Sequence, residues 1–132
     1  MTLREVLHAH IPSLTAQSTL RDAVDKMDIY QFPALVLVDG DMRPVGVLTE
    51  GDVCRGVAQQ GALLQLAAEP ASKFCTQNPT CVGPDLEISE ALHLMLGRGL
   101  TILPVVEQER LLGIVLRVDL MQALLMDGAA SA

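Results

Sequence analysis

The sequence predicts an α/β chain, α+β in the order of its elements, built from two tandem copies of one β-α-β-β-α unit. Three observations carry this. The segment Gly46-Val-Leu-Thr-Glu-Gly-Asp52-Val returns as Gly113-Ile-Val-Leu-Arg-Val-Asp119-Leu, an offset of 67 residues. Within each copy the apolar residues switch between the three-and-four spacing of a helix face and the continuous runs of short buried strands. Half of the 132 residues are hydrophobic but only three are aromatic (Tyr30, Phe32, Phe74), so the core has to be aliphatic. That length and composition suit one domain or two very small ones and exclude disorder or a collagen-like repeat.

In the first copy Pro12 leads into a short extended piece, Ser13-Leu14-Thr15. Thr19-Leu-Arg-Asp22 has the form of a capping box, so a helix carrying Ala23, Val24 and Met27 starts there. Ala34-Leu-Val-Leu-Val38 and Val45-Gly-Val-Leu48 read as strands, and Asp39-Gly40 between them predicts a hairpin. A second helix is expected over 50–60, with Gly61 as its stop. In the second copy Pro79 leads into Thr80-Cys81-Val82, and Ile88, Ala91, Leu92 and Met95 mark one helix face. Ile102-Leu-Pro-Val-Val106 and 111–116 form the second hairpin across the polar turn 107–110, and a last helix spans 118–126 with Gly128 as its stop. Residues 1–61 are therefore assigned to repeat one, 62–74 to a connecting segment, 75–127 to repeat two and 128–132 to a frayed tail. Leu63, Leu64 and Leu66 predict a packed helical turn within the connection.

Charge and motifs narrow the function. Nine basic against sixteen acidic side chains give a net charge of −7, the wrong sign for neutralising nucleic-acid phosphates. No run of about eighteen apolar residues and no leader pattern is present, so a cytoplasmic protein with no membrane partner is expected. Cys54, Cys75 and Cys81 are an odd set without a Cys-x-x-Cys pair, which indicates reduced, buried thiols and no metal site. His8, His10 and His93 are too far apart for a local metal motif and read as structural or surface imidazoles. The six methionines are read mostly as core residues. With no nucleophile elbow, phosphate-binding glycine loop or paired catalytic carboxylates, no catalytic residue is assigned and no enzyme is expected.

The residues resemble the cystathionine-β-synthase-type (CBS) domain, which occurs in tandem as a Bateman module. The resemblance covers almost the whole chain. It rests on Asn78-Pro79-Thr80, Glu90-Ala91-Leu92 with Met95, Leu103-Pro104-Val-Val106-Glu107 and Gly113-Ile-Val-Leu-Arg-Val-Asp119-Leu, matched in the first copy by Gly46-Val-Leu-Thr49-Glu-Gly-Asp52-Val. The first copy departs from the Pro-Val-Val signature, having Val36-Leu-Val38-Asp39. The resemblance implies a pseudo-twofold pair with two clefts between the copies for adenine nucleotides or related adenosyl ligands, and a sensor rather than a catalyst.

Carried over by residue, the resemblance assigns the first cleft Thr49, Glu50, Gly51 and Asp52, with Thr80, Thr101 and Ile102 opposite. The second cleft takes Leu116, Arg117 and Asp119, with Ser13, Pro33 and Ala34 opposite. A carboxylate accepts both ribose hydroxyls, and the helix N-terminus behind it offers N–H groups to an anion. Leu116 departs from the pattern by lacking the hydroxyl, and no basic side chain stands at 33–34 or 101–102, which leaves Arg43, Arg55, Arg98 and Arg117 as phosphate candidates. The alternative reading of Asp52 and Asp119 is a helix N-terminal acid with no ligand, and Thr49 reads also as an N-cap, which does not exclude ligand contact.

Two functions follow from this reading. One is a stand-alone regulatory module that binds AMP, ADP, ATP or S-adenosylmethionine and signals to a separate partner protein, with no other cofactor. The other is a ligand-free scaffold docking on a partner. A homodimer is expected through Val53, Val57, Leu120, Leu124 and Leu125 on the helices ending each copy.

Overall fold

The computed structural model describes the backbone of residues 1–131 and the side chains of residues 1–127. A 3-10 turn at Leu3–Glu5 precedes α1 (Leu20–Tyr30), β1 (Ala34–Val38), β2 (Pro44–Thr49), α2 (Glu50–Gln60) and the single-turn α3 (Leu63–Leu66). A second 3-10 turn at Ala71–Lys73 leads to β3 (Thr76–Gln77), α4 (Ile88–Arg98), β4 (Ile102–Glu107), β5 (Arg110–Leu116) and α5 (Arg117–Ser131). The mixed helix and strand composition with small antiparallel sheets is the fold class the repeat predicts.

These elements form two compact units, one of residues 12–79 and one in which 1–11 join the chain from 80 onward. In the unit 12–79, β1 pairs with β2 antiparallel, Leu35 opposite Leu48, and β3 adds to the other edge of β2. Every residue of β1 is buried, which is why its sequence is a continuous apolar run rather than an alternation. Leu14, Leu20, Ala23, Leu35, Leu48 and Ala71 make the core of this unit. The extended piece around Ser13 contributes a single parallel bridge, Leu14 N–H to Val36 O at 2.9 Å and Val38 N–H to Leu14 O at 2.8 Å, rather than a strand.

The second unit repeats the plan. β4 pairs with β5, Leu103 opposite Val115, and Val82 bridges β4 as Leu14 bridges β1. Leu3, Met95, Leu103, Val105, Val115 and Leu120 form its core. Here the edge position held by β3 in the first unit is taken by His8, whose N–H donates to Ile114 O at 2.8 Å and whose carbonyl accepts from Ile114 N–H at 3.1 Å. Gly113 permits this approach: a Cβ there would lie 2.3 Å from the His8 carbonyl oxygen.

The compact units therefore divide the chain differently from the boundaries drawn by sequence. Residues 1–11 belong to the unit of the second repeat. Leu3 N–H donates to Leu86 O at 3.0 Å, and the Arg4 guanidinium pairs with Glu107 at 2.6 Å and Asp85 at 3.4 Å. The segment 62–74 is likewise part of the first unit, with Leu66 and Ala71 in its core and Leu64 exposed. Apolar pattern marks which residues need burial but not which copy buries them.

The hairpin expected at Asp39-Gly40 is present: Met42 N–H donates to Asp39 O at 3.1 Å around Gly40 and Asp41, Met42 takes a positive φ of 63°, and the Asp39 carboxylate accepts from the N–H groups of Asp41 and Arg43 at 2.8 and 2.9 Å. Two local expectations are corrected. Gly128 does not stop the last helix, which continues to Ser131. One interior glycine costs about 1 kcal/mol, and Ala129 and Ala130 beside it are the strongest helix formers. The tail expected at 128–132 is thus helical through Ser131, and Ala132 lies outside the described residues. Of the methionines only Met27 and Met95 are buried.

Candidate functional site

The better-matched motif lies where β2 runs directly into α2. Thr49 is extended (φ −102°, ψ 162°) and caps the helix: Asp52 N–H donates to Thr49 Oγ1 at 3.0 Å, and Thr49 N–H donates to Asp52 Oδ2 at 2.9 Å. This reciprocal box satisfies two donors that a helix start leaves open. It holds Asp52 at only 9% exposure, with its other oxygen, Oδ1, paired to the Arg55 guanidinium one turn on. Gly51 lies beneath that guanidinium, since a Cβ there would meet Arg55 Nη1 at 3.3 Å. The result is a hydroxyl, a carboxylate and a cation on one helix end.

The second motif is built on half of that plan. Asp119 Oδ2 accepts from Leu116 N–H at 2.8 Å, but Leu116 has no hydroxyl to return the bond. His8 takes a place at the carboxylate instead, with Nε2 2.9 Å from the same oxygen. Arg117 begins α5 and is exposed.

The other expected residues fall as follows. Pro33 O accepts from Glu50 N–H at 3.0 Å, and Ala34, fully buried, stands opposite Thr49 in the β1–β2 register. Ile102 is 3% exposed and opposite Leu116 in the β4–β5 register, with Thr101 just before it. Thr80 Oγ1 accepts from Arg98 Nη1 at 3.3 Å, and the Ser13 carbonyl accepts from Lys26 Nζ at 2.8 Å. Each unit thus gathers residues drawn from both expected sets.

Sequence reasoning missed Lys26 and His8, because a cation thirteen residues from Ser13 and an imidazole 111 residues from Asp119 meet these groups only through the fold. It also missed a cavity of about 530 Å³ between α1 and α2, lined by Val24, Met27, Phe32, Pro33, Glu50 and Val53. Its apolar lining reads in the sequence simply as core, since Met27 and Val53 are buried in the cluster of this unit and Val24 and Phe32 pack against it. Of the cysteines, Cys54 is exposed rather than buried; Cys75 donates to Ala71 O at 3.3 Å, and burial, with the Asp52 charge behind it, pushes its thiol up to about 11. Among the described residues no cluster of three metal-ligating side chains forms, and no helix is long and apolar enough to cross a membrane.

The repeated strand-to-helix motif decides the family. A model of the CBS domain matches residues 3–59 and again 71–126. The chain belongs to the CBS-domain family. It is a tandem CBS pair, and the bounds of the two matches follow chain order, whereas residues 3–11 pack with the second copy. An uncharacterised 17.7 kDa protein of Acidianus ambivalens is 32% identical over 108 residues, 81% of this chain and 63% of that one. Arabinose 5-phosphate isomerase KdsD of Yersinia pestis is 29% identical over 125 residues, 93% of this chain but 37% of the enzyme. The CBS pair thus spans under two thirds of the length of both relatives. A crystal structure of CBSX2 in complex with AMP shares the fold with a TM-score of 0.80 at 19% identity, covering 96% of this chain and 98% of that one.

Proposed function

We propose that this CBS pair is a regulatory module that binds an adenosine-type ligand, AMP, ADP, ATP or S-adenosylmethionine, and signals to a separate partner protein. The observation that carries the reading is the Thr49–Asp52 box, which presents a carboxylate for ribose hydroxyls and a helix N-terminus for an anion, with Arg55 adjoining. The AMP complex of a structural neighbour supports the ligand class. The family resemblance adds Thr80, Thr101 and Ile102 to this reading, and Arg98 beside Thr80 is a cation for phosphate. The resemblance also adds Ser13, Pro33, Ala34, Leu116, Arg117 and Asp119 as a weaker second set. Ligand binding acts by favouring one packing of the module over another, and that difference is what a partner reads. No catalytic step is assigned to the chain, and a cytoplasmic setting accompanies the reading.

A homodimer belongs to the same proposal, with one change in its surface. Val53 and Leu120 are buried, and Val57 and Leu124 pack on the cores of their own units, so of the five residues expected to dimerise only Leu125 is exposed. Val118, Met121 and Leu125 instead form an exposed stripe at three-and-four spacing on α5.

The test is calorimetric titration of AMP, ADP, ATP and S-adenosylmethionine into the wild type, Asp52→Ala and the cap-preserving Asp52→Asn. Saturable heat in the wild type, lost in both variants, is the expected result. Absence of heat with all four on folded protein rejects the sensor. The scaffold reading, in which the module docks on a partner with empty sites, would then stand on Leu116 and on the pairing of Asp52 with Arg55.

A further inference from the structure

The internal repeat lets one unit serve as a control for the other. The 3-10 turns Leu3–Glu5 and Ala71–Lys73 correspond at an offset of 68 residues, and α5 corresponds to α2 at 67. In the unit 12–79 the space between turn and helix is closed by the chain itself. The Phe74 ring lies so close to Gly56 that a Cβ there would be 2.7 Å from it. Arg55 meets Asp52 Oδ1, and Lys73 stands 5.8 Å from the Phe74 ring centre.

At the matching positions of the other unit every one of these parts is changed. Val6 stands for Phe74, Ala123 for Gly56, Gln122 for Arg55 and Glu5 for Lys73. A cavity of about 310 Å³ opens there, lined by Glu5, Val6, Asp119, Gln122, Ala123 and Met126 among others. Asp119 Oδ2 is held by Leu116 N–H and His8, and among the described residues nothing bonds Oδ1, the oxygen that Arg55 satisfies in Asp52. The ring and the guanidinium that close the first unit are both missing, while the carboxylate that the guanidinium pairs with remains, and a second one, Glu5, stands at the Lys73 position with its Oε1 accepting from Thr2 N–H at 3.2 Å.

We propose that this cavity binds a small organic cation carrying a flat apolar group, of the arylamidine or arylalkylamine class. The cation pairs with Asp119 Oδ1 and Glu5, and the apolar group lies against Val6, Ala123 and Met126, in the place the Phe74 ring takes in the other unit. The volume is at the lower end for small-molecule sites, which suits a ligand of fragment size. The site lies within one unit and shares Asp119 with the weaker adenosine set, but it requires no nucleotide binding, so a negative nucleotide titration leaves it untouched.

The probe is benzamidine, with neutral benzamide as its isostere, followed by amide chemical shifts. Benzamidine is expected to give saturable shifts confined to residues 3–8 and 119–126, and benzamide to bind about tenfold more weakly or not at all. Gln122→Arg supplies the cation as Arg55 does and is expected to abolish the benzamidine shifts, while Gln122→Ala retains them. Thermal midpoints and amide spectra show that both variants are folded. Equal binding of benzamide, shifts centred elsewhere, or an unchanged response in Gln122→Arg overturns the proposal.

Discussion

Asp52 and Asp119 occupy the same position in the repeat and are held by different partners. Asp52 is held by Thr49 and Arg55, each three residues away, so its hydrogen-bond partners are set by local sequence. Asp119 meets His8, which no local rule brings near. The same contrast separates the cysteines. Cys54 is exposed on α2, whereas burial and the Asp52 charge favour the protonated Cys75 thiol, raising it to about 11 against an unfolded value near 9.0. A raised value means that this contribution to stability is complete below about pH 9 and is lost as pH climbs through 11. Iodoacetamide at pH 8.5 should label Cys54 first and Cys75 at least about ten times more slowly, read by peptide mass spectrometry. Equal rates would mean that Cys75 is not shielded as described.

At the scale of elements, helix starts were the most legible features. The Thr19–Asp22 box is present in both directions, at 3.2 and 2.9 Å, and the Thr19 N–H on the Asp22 carboxylate, with the Thr19 hydroxyl beside it, holds that carboxyl below the usual range. Thr49 and Asp52 form the same reciprocal box at the start of α2. Replacing Thr49 by Ala should lower unfolding stability by about 1 kcal/mol, with Thr49→Ser close to wild type, measured by urea midpoint. A Ser variant as unstable as Ala would show that the methyl contact, not the cap, carries the effect. The Asp39-Gly40 turn was legible too, closed by Met42 N–H to Asp39 O at 3.1 Å. The end of the last helix was less so, because Gly128 is only permissive and the helix continued past it.

For the whole molecule the main point is that residues 1–11 complete the second unit. Leu3 is fully buried in a cluster with Ile88, Met95, Leu103 and Leu120. Leu3→Ala should therefore cost about 2–5 kcal/mol, as for other fully buried leucines. Hydrogen exchange should show the loss of protection in residues 80–127, with residues 12–79 affected least. A loss concentrated in 12–79 would contradict the assignment of this segment.

The sequence alone determined the tandem repeat, the family, the helix starts and the aliphatic core, because each is written in residues a few positions apart or repeated at a constant offset. Only the tertiary structure decided where the lead segments 1–11 and 70–79 go, since burial of Leu3 or Ala71 is satisfied by either copy as far as pattern can tell. It alone placed His8 on Asp119 and Lys26 on Ser13, and it alone separated a space filled by Phe74 from its open counterpart beside Val6. Contacts between distant segments depend on how the units close, and a change from ring to isopropyl becomes a cavity only when the surrounding helix and turn stay in place.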